Sequence, residues 1–255
     1  MLDIIRTRRA SGITFLWMVV MFDFNLDEDR DAHDNILASA PRPSAKPGEI
    51  ITLGVYPQTA DGADRTPIKW RVLQNSGRDL FILSENILDC KRYHGEYADI
   101  TWRDCDLRKW RNAEFYNAAF NAAEKGFVKT TCCTDNGEGS PDTEDKIFLL
   151  SIAEVKRLTD TLGKDIFDKK RRAVGTEFAK VKKADGCHLY VYDGSVNDGY
   201  ITENGKKHGC SWWWLRTQPG GSSRATFVCL HGSVRGYGRV SRGRYGLRPA
   251  LNLTI

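Results

Sequence analysis

Between Pro219 and Ile255 the chain has no Asp, Glu, Lys, Gln, Met or Trp, yet it holds Arg224, Arg235, Arg239, Arg242, Arg244 and Arg248 among Gly, Ser, Tyr, Cys and His. The segment closes on Leu247, Pro249, Leu251, Leu253 and Ile255, apolar at every second position, which is the period of a strand with one buried face. A disordered basic arm would not carry that alternation. The odd composition therefore sits inside a fold, although folded surfaces ordinarily mix both signs of charge for solubility. Such a stretch asks for an acidic partner or for an unusual origin of its residues.

The rest of the chain is ordinary by comparison. Its 255 residues suffice for one large domain or two small ones, and a hydrophobic fraction of 41% supplies a core without staples. The net charge of +5 is concentrated at the C-terminal end, because the last acidic residue is Glu203. Cys90, Cys105, Cys132, Cys133, Cys187, Cys210 and Cys229 are odd in number and contain no CxxC pair, which argues against a disulfide scaffold and against a zinc site; one or two bridges stay open. The adjacent Cys132 and Cys133 read as small buried residues. Near the N-terminus, Arg6, Arg8 and Arg9 precede an apolar stretch, Ile13 to Phe22. That stretch is too short to span a bilayer, and an acidic run separates it from the small residues at Ala38-Ser39-Ala40. It reads as a packed strand or helix, or as an extension that meets a partner, ahead of a signal sequence. No transmembrane segment is expected.

Pro41, Pro43 and Pro47 mark a linker, so residues 1–48 are expected to form an extension and 49–255 a single domain. Strands are expected at Glu49 to Tyr56, Ile68 to Leu73 and Leu80 to Ser84, in an antiparallel meander. Leu107 to Ala123 places Leu107, Trp110, Phe115, Ala118, Ala119 and Ala122 near helical spacing, with Asn112 and Asn117 outside. A second helix starts at Ser151, which has capping-box spacing to Glu154; Ile152, Val155 and Leu158 form its stripe, and a strand from Lys146 to Leu150 feeds it. Lys164 to Lys183 reads as a solvated loop or helix face. Leu189 to Tyr192, Ala225 to Leu230, Val234 to Val240 and Leu247 to Leu253 are further short strands between glycines. The expected class is α+β, antiparallel strands with two helices and a loop-rich C-terminal β end.

Several phrases in order carry a resemblance: Gly54-Val55-Tyr56-Pro57-Gln58-Thr59, Ile68-Lys69-Trp70-Arg71-Val72-Leu73, Leu83-Ser84-Glu85-Asn86-Ile87-Leu88-Asp89, Thr101-Trp102 before Leu107-Arg108-Lys109-Trp110, Ile147-Phe148-Leu149-Leu150-Ser151, Trp213-Trp214-Leu215-Arg216-Thr217 and Gly246-Leu247-Arg248-Pro249-Ala250-Leu251. From about residue 50 onward the chain resembles the C-type lectin-like domain of variable proteins made by diversity-generating retroelements, a fold related to formylglycine-generating enzymes. The resemblance implies a C-terminal segment rewritten by an error-prone reverse transcriptase at template adenines, largely in Asn codons. Such codons cannot become Lys, Glu, Gln, Met or Trp, and the tail has none of these. Thr217-Gln218-Pro219 departs from the family, which more often has a Ser-Pro-Gly turn there.

By that resemblance the variable ligand-binding region spans about 211–246. Its implied framework is Trp213, Trp214, Leu215, Arg216, Val228, Gly232, Val234, Gly238, Val240, Gly246, Arg248, Pro249 and Leu251. Between these stand the candidate variable positions Arg224, Phe227, Cys229, His231, Arg235, Tyr237, Arg239, Ser241, Arg242, Arg244 and Tyr245. Tyrosines offer rigid amphipathic contact area, and arginines offer forked donors to carboxylate or phosphate. An interface of ~800 Å² per partner takes roughly twenty residues, so these positions would form its centre. Trp213 and Trp214 read as core. The expected partner is a macromolecular ligand, protein first, with nucleic acid or another polyanion as the alternative. No cofactor, metal or catalytic residue is expected: Cys210 and Cys229 are far apart in sequence, the tail lacks calcium-ligating acids, and HExxH, GxSxG and phosphate-loop motifs are absent. His94 and His188 read as structural or solvated. Cell-surface or virion display is expected ahead of the cytoplasm.

Overall fold

A computed structural model describes residues 44–157, 169–220 and 222–255. The apolar stretch at Ile13 to Phe22 and the expected stripe residue Leu158 lie outside them. The meander forms as expected: β1 (Ile50–Val55), β2 (Pro67–Asn75) and β3 (Asp79–Ser84) pair antiparallel, with Trp70 opposite Ile51 on one side and Ser84 on the other. Trp70 is fully buried and donates its indole N–H to the Leu53 carbonyl at 2.8 Å. Ala45 is already part of this core.

After the two-residue β4 (Asp89–Cys90), the expected single helix is broken up. Asp106–Trp110 (α1) runs into a π-helical turn, Arg111–Phe115, then Tyr116–Ala119 (α2); Phe120 leaves the helix, and Ala122–Phe127 (α3) starts afresh. The cause of the restart is local. Asn121 and Glu124 make a reciprocal capping box, each side chain accepting the other's backbone N–H at 2.9 Å, and the second Glu124 oxygen accepts from the Gly54 amide at 2.8 Å. The π turn also spoils the 3.6 period, so Ala118 and Ala122 are exposed. Asn112, expected outside, instead turns inward, where its side-chain carbonyl accepts from the Lys146 and Ile147 amides.

The chain continues through β5 (Val128–Lys129), β6 (Thr131–Cys133) and β7 (Thr143–Asp145) to the short helix α4 (Ile152–Arg157). The α4 capping box is present, with Ser151 N donating to Glu154 Oε2 at 2.8 Å and Glu154 N to Ser151 Oγ at 3.1 Å. Lys146 to Leu150 is not a strand. Ile147 to Leu150 are buried throughout, and their carbonyls serve Asn112 and Arg216 rather than a strand partner, leaving one bridge between Phe148 and Ala250. Lys169 to Lys183 is not simply solvated either: it contains α5 (Glu177–Lys180), and Arg171 and Arg172 are buried.

Leu189 to Tyr192 likewise makes one bridge, Val191 to Ser211, in place of a strand. Then β8 (Tyr200–Glu203) and β9 (Lys206–Gly209) form a hairpin whose turn, Asn204-Gly205, has φ of +50° and +76°. Those are the two left-handed residues of a type I′ turn. β10 (Trp213–Trp214), β11 (Arg224–Val228), β12 (Val234–Arg239), β13 (Gly246–Leu247) and β14 (Ala250–Thr254) complete the chain.

Two five-stranded sheets result, ordered β1-β2-β3-β14-β5 and β12-β11-β10-β13-β4. Most pairings are antiparallel; Trp213 meets Gly246 in parallel. The fold is thus mixed α+β. The expected strand Leu247 to Leu253 is split, because the chain crosses from one sheet to the other at Arg248-Pro249. Pro249 has no N–H for its neighbour Ser84, although its carbonyl accepts the Ser84 amide at 2.9 Å. Arg248 Nε donates to the Ser84 carbonyl at 2.9 Å instead, so a side chain completes the pairing that proline leaves open. Among the described residues no helix is long and apolar enough to cross a membrane.

Candidate ligand-binding surface

Most of the implied framework residues lie in or beside the second sheet, with Leu251 in β14 of the first. Trp213, Trp214 and Leu215 are fully buried; Trp213 donates its indole N–H to the Arg171 carbonyl and Trp214 to that of Lys91, each at 3.1 Å. Arg216 is buried with all its N–H groups engaged. It grips Glu154 with two bonds, Nη1 to Oε2 at 2.5 Å and Nη2 to Oε1 at 2.8 Å, and donates further to Thr134 O, Leu149 O and Asn136 Oδ1. This planar fork ties α4, the 134–136 loop and β10 into one body. Val228, Gly232, Gly238, Val240, Gly246, Arg248, Pro249 and Leu251 are also buried, and Val234 is half-buried.

The candidate variable positions divide differently. Tyr237, Arg239, Arg242 and Arg244 are exposed, and Arg224, Cys229, His231, Arg235 and Ser241 are half-buried. Phe227 and Tyr245 are buried, at 3% and 4% exposure. Their rings form an aromatic floor: Tyr245 stacks on Trp214 at 3.8 Å between centroids and meets Phe227 edge-on at 4.8 Å, while Phe227 meets Tyr237 edge-on at 5.5 Å. Trp212 and Tyr190, stacked at 4.2 Å, extend this floor.

Main-chain atoms hold the loops that carry these positions. His188 N donates to Gly243 O at 2.7 Å, Tyr190 N to Arg244 O at 3.1 Å and Arg242 N to Arg239 O at 3.0 Å, while Arg92 Nε reaches Ser241 O. In the other turn, Cys229 N donates to Ser233 O and Gly232 N to Cys229 O, both at 2.8 Å, with Gly232 at φ +87°. Side chains on these loops can therefore change without unpinning them.

No carboxylate among the described residues forms an ion pair with Arg224, Arg235, Arg239, Arg242 or Arg244. Arg239 instead sits 5.4 Å from the ring centroid of Tyr97, a residue from the loop between β4 and α1. No feature of the tail points to Tyr97, since it joins the surface only through tertiary packing.

Burial raises the ionisation of several of the thiols. All seven cysteines are free; burial pushes Cys210 up to about 11 and Cys105 and Cys133 up to about 12. A nucleophilic thiol needs the opposite shift. Cys132, expected to be buried, is the exposed middle residue of β6, whereas Cys133 is buried. Among the described residues no group of His, Cys, Asp and Glu is placed to hold a metal ion. A cavity of about 800 Å³, lined by Arg71, Glu85, Arg172, Tyr200 and Arg248, contains none of the candidate variable positions.

Fold and surface together define a mixed α+β protein that presents arginines and tyrosines over an aromatic floor. By sequence, residues 77–255 match the family described as a domain of unknown function, DUF6273, and the chain belongs to that family. No significant match was found among curated proteins or solved structures.

Proposed function

We propose that this is a ligand-binding protein with a C-type lectin-like fold, whose C-terminal surface is diversified by retroelement adenine mutagenesis and binds macromolecular ligands by contact. The observation that carries the reading is the main-chain anchoring of the 229–233 and 239–244 loops. A surface that must accept many sequences needs supports that do not depend on the replaceable side chains. Nine of the eleven candidate positions, all but Phe227 and Tyr245, keep solvent exposure on such supports.

The test is in the coding DNA. The reading expects a near copy of the 3′ end close to a reverse-transcriptase gene, with the two copies differing only where the template has adenine. A unique 3′ end with no such gene nearby would sink the diversification reading. The unpaired arginines favour one alternative, a polyanion-binding surface. Its mark would be affinity falling by orders of magnitude between low and moderate salt on any nucleic-acid sequence.

A further inference from the structure

Two aromatic side chains are strongly exposed among the described residues, Tyr97 at 54% and Tyr237 at 59%; Arg239 lies over the Tyr97 ring, and the Tyr237 main-chain carbonyl accepts from Arg224. Arg224 and Arg239 are direct neighbours across β11 and β12. Like charges in that arrangement repel, and no described carboxylate pairs with either. Each guanidinium is nevertheless positioned: Arg224 Nη1 donates to the Tyr237 carbonyl at 3.1 Å, and Arg239 lies over the Tyr97 ring. Ser223, Arg224 and Arg239 together draw the ionisation of the Tyr97 hydroxyl below the usual phenol range. Two preset cations, one of them lying over the exposed Tyr97 ring, form a cradle for anionic groups, since little side-chain freedom is left to lose on binding.

One acidic residue adjoins the cradle: the exposed Asp99 acts on Tyr97, against Ser223, Arg224 and Arg239. A phosphate backbone continuing past Tyr97 would meet this charge, whereas a short acidic segment bridging Arg224 and Arg239 need not reach it.

We propose that Tyr97, Arg224, Tyr237 and Arg239 bind a short acidic segment of a protein partner, with its carboxylates bridging the two arginines, and that Tyr97 is a fixed contributor from outside the tail. This rests on the receptor reading above and names the chemistry of this copy's ligand.

Fluorescence anisotropy of the full chain with labelled hexaglutamate, beside hexathymidylate, tests it. The expected result is saturable binding of the peptide at moderate salt, weakened by about tenfold in Arg239→Gln, Arg224→Gln and Tyr97→Ala and unchanged in the remote Lys69→Gln. Thermal unfolding of each variant, expected within a few degrees of the parent, separates lost contact from lost fold. The proposal is overturned by absent peptide binding, by equal binding in all variants, or by tighter binding of the oligonucleotide. A duplicated 3′ end with no peptide binding rejects the acidic ligand alone; peptide binding with a unique 3′ end rejects diversification alone.

Discussion

Tyr245 lies flat against Trp214, with ring centroids 3.8 Å apart and planes inclined by 28°, so a position expected to be replaceable is packed against one expected to be fixed. Tyr237, by contrast, is exposed and meets Phe227 in an edge contact. The two should separate in a stability measurement. Tyr245→Ser should cost about 2–5 kcal/mol in denaturant unfolding, in the range of large-to-small core changes, while Tyr237→Ser should stay within about 0.5 kcal/mol. Equal costs would show that the floor does not depend on the Tyr245 ring.

Two glycines of β12 make a second pair. A Cβ on Gly238 would lie 2.6 Å from Trp214 Cζ3 and 3.0 Å from Phe227 Cδ1, whereas on Gly236 its nearest neighbour, Thr226 Cγ2, is 3.9 Å away. Gly238→Ala should destabilise by about 1–3 kcal/mol through overpacking, and Gly236→Ala should be near neutral. Thermal melts of both variants decide it; a neutral Gly238→Ala would mean that the indole moves freely.

Arg248 supplies the donor that Pro249 lacks. Arg248→Met should leave the Ser84 carbonyl without its partner and cost about 1–3 kcal/mol, with faster exchange of the Ser84 amide as the sheet crossing loosens. Burial holds the Arg248 ionisation down at about 10, so part of that cost is returned by no longer burying a charge. Unchanged amide exchange in the variant would contradict this role.

Stability should fall in alkali. Cys210 ionises at about 11 in the folded state against 9.0 for an ordinary thiol, because burial disfavours the thiolate, with Arg172 partly offsetting. Folding therefore holds this proton: the contribution is complete below pH 9 and is lost as pH rises from 9 through 11, at up to ~1.4 kcal/mol per unit. Cys105 and Cys133 act in the same sense. Arg111, lowered to about 9 by burial, acts in the opposite sense. Comparing denaturant midpoints at pH 8.5 and 10.5, Cys210→Ala should show the shallower fall; parallel falls would place the loss elsewhere.

The meander was legible because the apolar residues of β2 alternate in step with its burial, while β11 and β12 were legible from the glycines that bound them, since neither alternates in burial. The capping box at Ser151 was legible because Ser151 and Glu154 act within one helical turn. Two local signals went unread: Asn204-Gly205, which makes a hairpin, and Asn121 with Glu124, which restarts a helix. Ile147 to Leu150 misled, because an apolar run buried on all sides has no period to reveal its partners.

By itself, the sequence determined that Trp213, Trp214 and the closing apolar residues lie inside, and that an acid-free run of arginines reaches the surface at Arg239, Arg242 and Arg244. These are local consequences of volume, charge and period. Only the tertiary structure decided that Phe227 and Tyr245 belong to the floor, that the chain changes sheets at Arg248-Pro249, and that Tyr97 stands beside Arg239. Each of these depends on residues far apart in the chain meeting in space, and no spacing along the sequence encodes that distance.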